Sequence, residues 1–146
     1  TPTPTTPRAG TASRPRPPTS PDVRHEHPVQ LRWSDPDSLG HVNHARALSL
    51  LEDARLAMVS GPGGAILARL EVDYLRQLYY RVGERPCVTS WVTRIGTKSL
   101  TVRQELVQDD RVAIRADSVL VMFDFVTDTS RPLTDDERAH WSRYLE

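Results

Sequence analysis

Between Ser34 and His44 the chain gathers two aspartates, two histidines and an asparagine in the string Ser34-Asp35-Pro36-Asp37-Ser38-Leu39-Gly40-His41-Val42-Asn43-His44. A carboxylate there can act as a nucleophile or as a base toward water, and acyl transfer needs one such group plus donors for the carbonyl oxygen. The same residue types also build turns and cap helices, and local sequence alone favours that role for Asp37. His41 and His44 stand three apart with His25 and His27 upstream. No acidic residue at helical i+3 or i+4 spacing completes a site with them, so no metal is expected.

The elements that must position this string follow from hydrophobic period. Val29, Leu31 and Trp33 alternate with Gln30 and Arg32, which reads as a strand from about His27 with one buried face. The turn formers after it reverse the chain. Residues 41–60 then carry Ala47, Leu50, Leu51, Ala54, Ala57 and Met58 at helical spacing, stopped by Gly61-Pro62-Gly63-Gly64. The first amides of that helix, around Val42 to His44, are expected to lack intrahelical acceptors and to form an oxyanion site. Glu52 and Arg55 read as a surface ion pair across one turn. Period-two patterning returns from Ile66 to Leu75, and three more strands are expected over residues 85–95, 98–108 and 111–126. The last changes parity between Ala116 and Val119, which predicts a β-bulge near Asp117 or Ser118. Thr134 and Glu137 form a capping box that opens a short helix, packed through Trp141 and Leu145.

Composition sets the frame. The 146 residues are 38% hydrophobic, enough for one core, and 19 basic residues balance 19 acidic ones, so neither nucleic acid nor an anionic membrane is an expected partner. Residues 1–25 are expected to be a disordered Thr/Pro-rich tail and residues 26–146 the folded domain. The single cysteine, Cys87, reads as a buried filler in a reducing compartment. With no signal-peptide core and no apolar run long enough to span a membrane, the expected location is cytoplasmic.

The string Asp35 to His44 resembles the opening signature of the 4-hydroxybenzoyl-CoA thioesterase-like branch of the hotdog superfamily, roughly Asp-x-Asp-x-x-Gly-His-Val-Asn-Asn. Leu51-Glu52-Asp53-Ala54-Arg55, Val72-Asp73-Tyr74-Leu75-Arg76 and Arg94-Ile95-Gly96-Thr97-Lys98-Ser99-Leu100 extend the likeness over roughly residues 27–133. The resemblance implies an α+β hotdog fold, one antiparallel five-stranded sheet wrapped around a long central helix, plus a short C-terminal helix. It implies hydrolysis of an acyl-CoA thioester to free acid and CoA, with no cofactor, by a homodimer that in related proteins often sits within tetramers.

Residue by residue, the resemblance makes Asp37 the catalytic carboxylate and the His44 amide the main carbonyl donor. His41 and Asn43 join the catalytic set as orienting or bracing groups, although plant acyl-ACP thioesterases with a similar string carry Asn where this chain has Leu39. Ala47 and Leu50 fall where relatives often have aromatics lining the acyl pocket, so a bulkier acyl group is expected, with Tyr74 as a further substrate contact. Arg94, Lys98 and Ser99 surround the turn that relatives use for the CoA nucleotide. The competing readings are a hotdog hydratase or dehydratase on acyl-CoA and a non-catalytic acyl-CoA-binding or sensing module. The Gly-His-Val-Asn string favours hydrolysis, and the Pro-rich leader supplies no helix-turn-helix.

Overall fold

The computed structural model describes residues 23–59 and 64–146. The expected tail up to residue 22 and the Gly61-Pro62-Gly63 helix stop lie outside the described residues. Element order is β1 (His25–Pro28), α1 (His44–Met58), β2 (Ala65–Tyr74), β3 (Cys87–Ile95), β4 (Ser99–Gln108), β5 (Arg111–Asp124), β6 (Thr129–Ser130) and α2 (Asp135–Ser142). One antiparallel sheet runs β1-β3-β4-β5-β2, with the two-residue β6 added against the end of β5. Helix α1 lies on one face, which is the hotdog arrangement expected from the sequence.

Strand β1 is shorter than its alternation suggests and starts earlier. Its ladder to β3 ends at Pro28, paired with Cys87. Val29 and Leu31 still enter the core, but Trp33 is 82% exposed, against the expectation that it shares their buried face. The chain turns between Arg32 and Asp35, where the Asp35 amide donates to the Arg32 carbonyl at 2.9 Å, and the turn ends the period of two. Cys87 is only partly buried.

Helix α1 begins at His44 rather than at residue 41, because extended bridges tie His41 to Tyr79 and Val42 to Pro36. Its inner face carries Ala47, Leu50, Leu51, Ala54 and Met58 as the spacing predicts, while Ala57 is exposed. Burying a residue such as Leu51 contributes about 2 kcal/mol, and Leu51→Ala would cost about 2–5 kcal/mol through the cavity left behind.

The same face also buries Arg55, so the expected surface pair with Glu52 is replaced. Arg55 Nη1 donates inward to Gln104 Oε1 at 3.0 Å and to Ser118 Oγ at 3.2 Å. Gln104 Nε2 in turn donates to the Leu51 carbonyl and to Ser90 Oγ. This polar seam lies between two apolar clusters, one around Leu51 and Ile114, the other around Met58, Met122 and Trp141.

The seam, not a bulge, accounts for Ser118. In β5 the extra residue is Ala113, between the Val107–Val112 and Leu106–Ile114 pairs, not Asp117 or Ser118. From there Ile114, Ala116, Ser118, Leu120 and Met122 face α1, and Val119, Val121 and Phe123 face away. A serine is tolerated inside because Arg55 donates to it.

Helix α2 opens with the expected capping box, in which the Glu137 amide donates to Thr134 Oγ1 and the Thr134 amide donates to Glu137 Oε1. Trp141 is buried, whereas Leu145 contributes only a backbone bridge to Val92 and leaves its side chain 44% exposed. Strand β2 is an edge whose Ile66, Leu67 and Tyr74 side chains are exposed.

Candidate active site

Asp35 holds the loop that carries the polar string. It is 2% exposed; its Oδ2 accepts from the Arg32 amide at 2.8 Å and its Oδ1 from Arg46 Nε at 3.0 Å. Its carbonyl accepts from the Asn43 amide at 3.2 Å, so one residue ties the loop to both the cap and the first turn of α1.

Beyond Pro36 the chain closes a tight turn. The Asp37 amide donates to the His41 carbonyl at 2.7 Å, and the Gly40 amide to the Asp37 carbonyl at 3.1 Å. Gly40 has φ +78°, a left-handed conformation that glycine adopts at little cost. Asp37 Oδ1 accepts from the Leu39 amide at 2.8 Å and the His41 amide at 3.3 Å, the side-chain turn that local sequence favoured. Asp37 Oδ2 takes no hydrogen bond from the described residues. The turn therefore occupies one oxygen and leaves the other.

Asp37 lines a cleft of about 470 Å³ together with His41, His44, Ala47, Tyr74 and Arg76. The cleft lies at the amino end of α1, where the amides are unequally occupied. Val42 donates to the Leu78 carbonyl at 2.7 Å, Asn43 to Asp35, and Ala45 to Asn43 Oδ1 at 2.8 Å. Only the His44 amide in this run has no acceptor among the described residues. Of the three amides expected to lack acceptors, two thus have one, and the third is the one the resemblance singled out. No acidic side chain occupies the first turn of α1, so the positive end of its dipole is not offset from within the helix.

The two histidine rings are packed rather than converging. His41 meets Tyr79 edge-on at 5.2 Å and His44 meets Tyr74 at 6.1 Å, while His25 and His27 stack on each other on β1. Tyr74 donates its hydroxyl to the His44 carbonyl at 3.3 Å, and burial pushes its phenol up from the ordinary range. Asn43 serves as the helix cap.

One chain does not bring the remaining residues of the expected site to this cleft. Leu50 is buried in the core beneath it. Arg94, Lys98 and Ser99 lie at the β3–β4 turn, level with Val121, whereas Tyr74 is level with Ile114. At about 3.4 Å per residue along β5 the separation is roughly 24 Å. Two residues were missed. Arg76 lines the cleft, and its place directly after Tyr74 and Leu75 was the available signal. Asp35 anchors the loop through Arg46, a pairing that no helix or strand period announces.

Comparison with known proteins decides the family. Residues 39–114, slightly more than half of the chain, match the model of the thioesterase superfamily. The chain belongs to the thioesterase superfamily. The matched span begins two residues after Asp37 and includes His41, Asn43, His44 and the whole of α1 and β2. Among solved structures, a predicted thioesterase from Bacillus stearothermophilus is 29% identical with a TM-score of 0.77, covering 84% of this chain and 97% of its own. A thioesterase from Thermus thermophilus, solved with coenzyme A and Zn, is 29% identical with a TM-score of 0.73, covering 82% and 92%. A thioesterase superfamily protein from Jannaschia sp. CCS1 is 26% identical with a TM-score of 0.76, covering 92% and 99%. A search of curated proteins returns no match. Among the described residues of this superfamily member, no helix is long and apolar enough to cross a membrane.

Proposed function

We propose that this chain hydrolyses acyl-CoA thioesters, with Asp37 as the reacting carboxylate. The observation that carries the reading is the pairing, in one cleft, of an Asp37 oxygen and a His44 amide that have no hydrogen-bond partner among the described residues. A thioester whose carbonyl oxygen accepts from the His44 amide presents its carbon to Asp37 Oδ2. Attack by that oxygen breaks the carbon–sulfur bond, the electron pair leaves with sulfur as the CoA thiolate, and water then hydrolyses the mixed anhydride. As a base, the same oxygen instead takes the proton of a water that attacks the carbon. Both routes yield free acid and CoA without a strong general acid, because a thiolate is a good leaving group. The T. thermophilus relative holds coenzyme A, which supports CoA as the carrier here.

A homodimer completes the reading. Strand β2 is an open edge bearing apolar side chains, including Leu67 at 46% exposure, and α1 adds Leu56 beside it. Antiparallel two-fold pairing of β2 with a second copy sets the Ala65 end of one strand beside the Tyr74 end of the other. The β3–β4 turn of the second copy then approaches the cleft, and its Arg94, Lys98 and Ser99 come within reach of a CoA nucleotide. The single cysteine fits a cytoplasmic setting.

The deciding assay is release of free thiol from a panel of acyl-CoAs by the wild type and by Asp37→Asn. Release that the substitution abolishes supports hydrolysis. Binding without release indicates a sensing module, and reversible hydration of an enoyl-CoA indicates a hydratase.

A further inference from the structure

Strand β4 turns its even-numbered residues toward α1, and Leu100, Val102 and Leu106 fill the core as that alternation requires. Two glutamines interrupt the series. Gln104 belongs to the Arg55 seam, whereas Gln108, 7% exposed at the end of the strand, has no part in it. A buried primary amide needs both a donor and an acceptor.

Gln108 finds both on one residue. Its Oε1 accepts from the Tyr79 amide at 2.9 Å, and its Nε2 donates to the Tyr79 carbonyl at 2.8 Å. Tyr79 lies in the irregular segment between β2 and β3, bridged antiparallel to His41. The bridge is closed by its flanking residues, with the Val42 amide donating to the Leu78 carbonyl at 2.7 Å. In an antiparallel pair closed this way, the two facing residues turn their own amide and carbonyl groups away from each other. Those of Tyr79 go to Gln108. Those of His41 go to Asp37: the His41 carbonyl accepts from the Asp37 amide at 2.7 Å, and the His41 amide donates to Asp37 Oδ1 at 3.3 Å. Asp37, His41, Tyr79 and Gln108 are therefore successive rungs of one ladder, in which a side chain stands where another strand would. Glu84 braces its outer end, accepting from Gln108 Nε2 at 3.1 Å, and Arg81 joins Glu84 to Asp109. Neither Gln108 nor Tyr79 lines the cleft.

We propose that Gln108 is a positioning residue for Asp37: it fixes the Tyr79 backbone, which fixes His41, which sets the carboxylate in the cleft. The inference rests on the reading of Asp37 as the reacting carboxylate. Removing the Gln108 amide leaves the Tyr79 amide and carbonyl unpaired, and the ladder shifts one rung away from the residue that holds Asp37 Oδ1.

Gln108→Met keeps the side-chain length and removes all three bonds. In thiol release its kcat should fall at least about tenfold, since small misplacements of a reacting group cost up to about 10²-fold. KM should change by less than about twofold, because no residue of the cleft is replaced. Independently of catalysis, the amide resonances of Leu39 and His41 should move in the direction that Asp37→Ala moves them, because both amides donate to Asp37 Oδ1. An unchanged kcat in folded Gln108→Met, a loss confined to KM, or unmoved Leu39 and His41 resonances would each overturn the proposal. If Asp37→Asn itself keeps the wild-type rate, it is the catalytic reading that fails, and the resonances still decide whether Gln108 holds the turn. Gln108→Glu keeps the proposal testable should Gln108→Met not fold. A carboxyl there donates to the Tyr79 carbonyl only when protonated, and the adjacent Glu84 and Asp109, sharing Arg81, favour the proton. Its kcat relative to wild type should rise as pH falls from about 8 to about 6, the ratio cancelling the titration of Asp37. A ratio independent of pH would overturn the proposal.

Discussion

Asp37→Asn separates the turn-forming role of this side chain from the catalytic role proposed for it. Asparagine retains a carbonyl oxygen that can accept from the Leu39 and His41 amides, at 2.8 and 3.3 Å in the native turn. The turn should therefore hold, with stability changed by less than about 1 kcal/mol, within the ordinary range for an exposed substitution. What the substitution removes is the negative charge on Oδ2, the oxygen with no partner among the described residues. General-base or nucleophilic assistance is typically worth about 10²–10⁴ in rate, so thiol release should fall at least about 100-fold. Asp37→Ala gives the complementary result, because it removes the acceptor as well and should cost about 1–2 kcal/mol in addition to the rate. The assay is thiol release under single-turnover conditions, paired with urea unfolding of each variant. A folded Asp37→Asn protein that keeps more than about a tenth of the wild-type rate would refute the assignment, since base catalysis cannot be that cheap to lose.

Asp35→Asn should cost about 1–3 kcal/mol in urea unfolding, because it leaves the Arg46 guanidinium without its charge partner at the loop–helix junction. Gln104→Leu should cost about 2–4 kcal/mol by the same measurement, since it strips acceptor or donor from Arg55, Ser90 and the Leu51 carbonyl together. The Arg131 guanidinium beside Glu137 lowers its carboxyl to about 2. The pair therefore stabilises the fold fully above the ordinary carboxylate range and loses that contribution as pH falls toward about 2. Arg131→Met should flatten that acid limb in thermal melts at a series of pH values. Leu67→Lys, on the open edge of β2, should shift the mass seen by light scattering from dimer to monomer and reduce thiol release with it. Dimers that persist with full activity would place the interface elsewhere.

The parts of the fold that rest on one period were legible in the sequence. Helix α1, strands β2 to β5 and the α2 capping box follow from local spacing and cap chemistry. Errors arose where a tertiary partner overrode the pattern. Trp33 obeys the alternation of Val29 and Leu31, yet the Arg32–Asp35 turn carries it outward. Ser118 looked like the interruption that marks a bulge. It faces inward because Arg55, forty-nine residues before Gln104 and sixty-three before Ser118, supplies its hydrogen bond. Arg55 looked like half of a surface pair because its sequence neighbour Glu52 was visible and Gln104 was not. In the site, the short string around Asp37 fixed which residues could meet, since its contacts span only a few residues. Arg94, Lys98 and Ser99 were attached to the same site by resemblance, and along one sheet they are too distant to serve it without a second copy.

Two aspartates separated by one proline end in opposite environments, one committed to structure and one lining the cleft. Pro36 biases Asp35 toward extended backbone, which lets its carbonyl and carboxylate face the cap and Arg46. Every oxygen of Asp35 is then engaged, so it has nothing to offer a substrate. Asp37 is not called on to cap α1, because the Asn43 amide donates to the Asp35 backbone carbonyl and the Ala45 amide to Asn43 Oδ1. Both acceptors that reach the first turn of α1 are thereby spent on the amides flanking His44, whose own amide has no acceptor among the described residues.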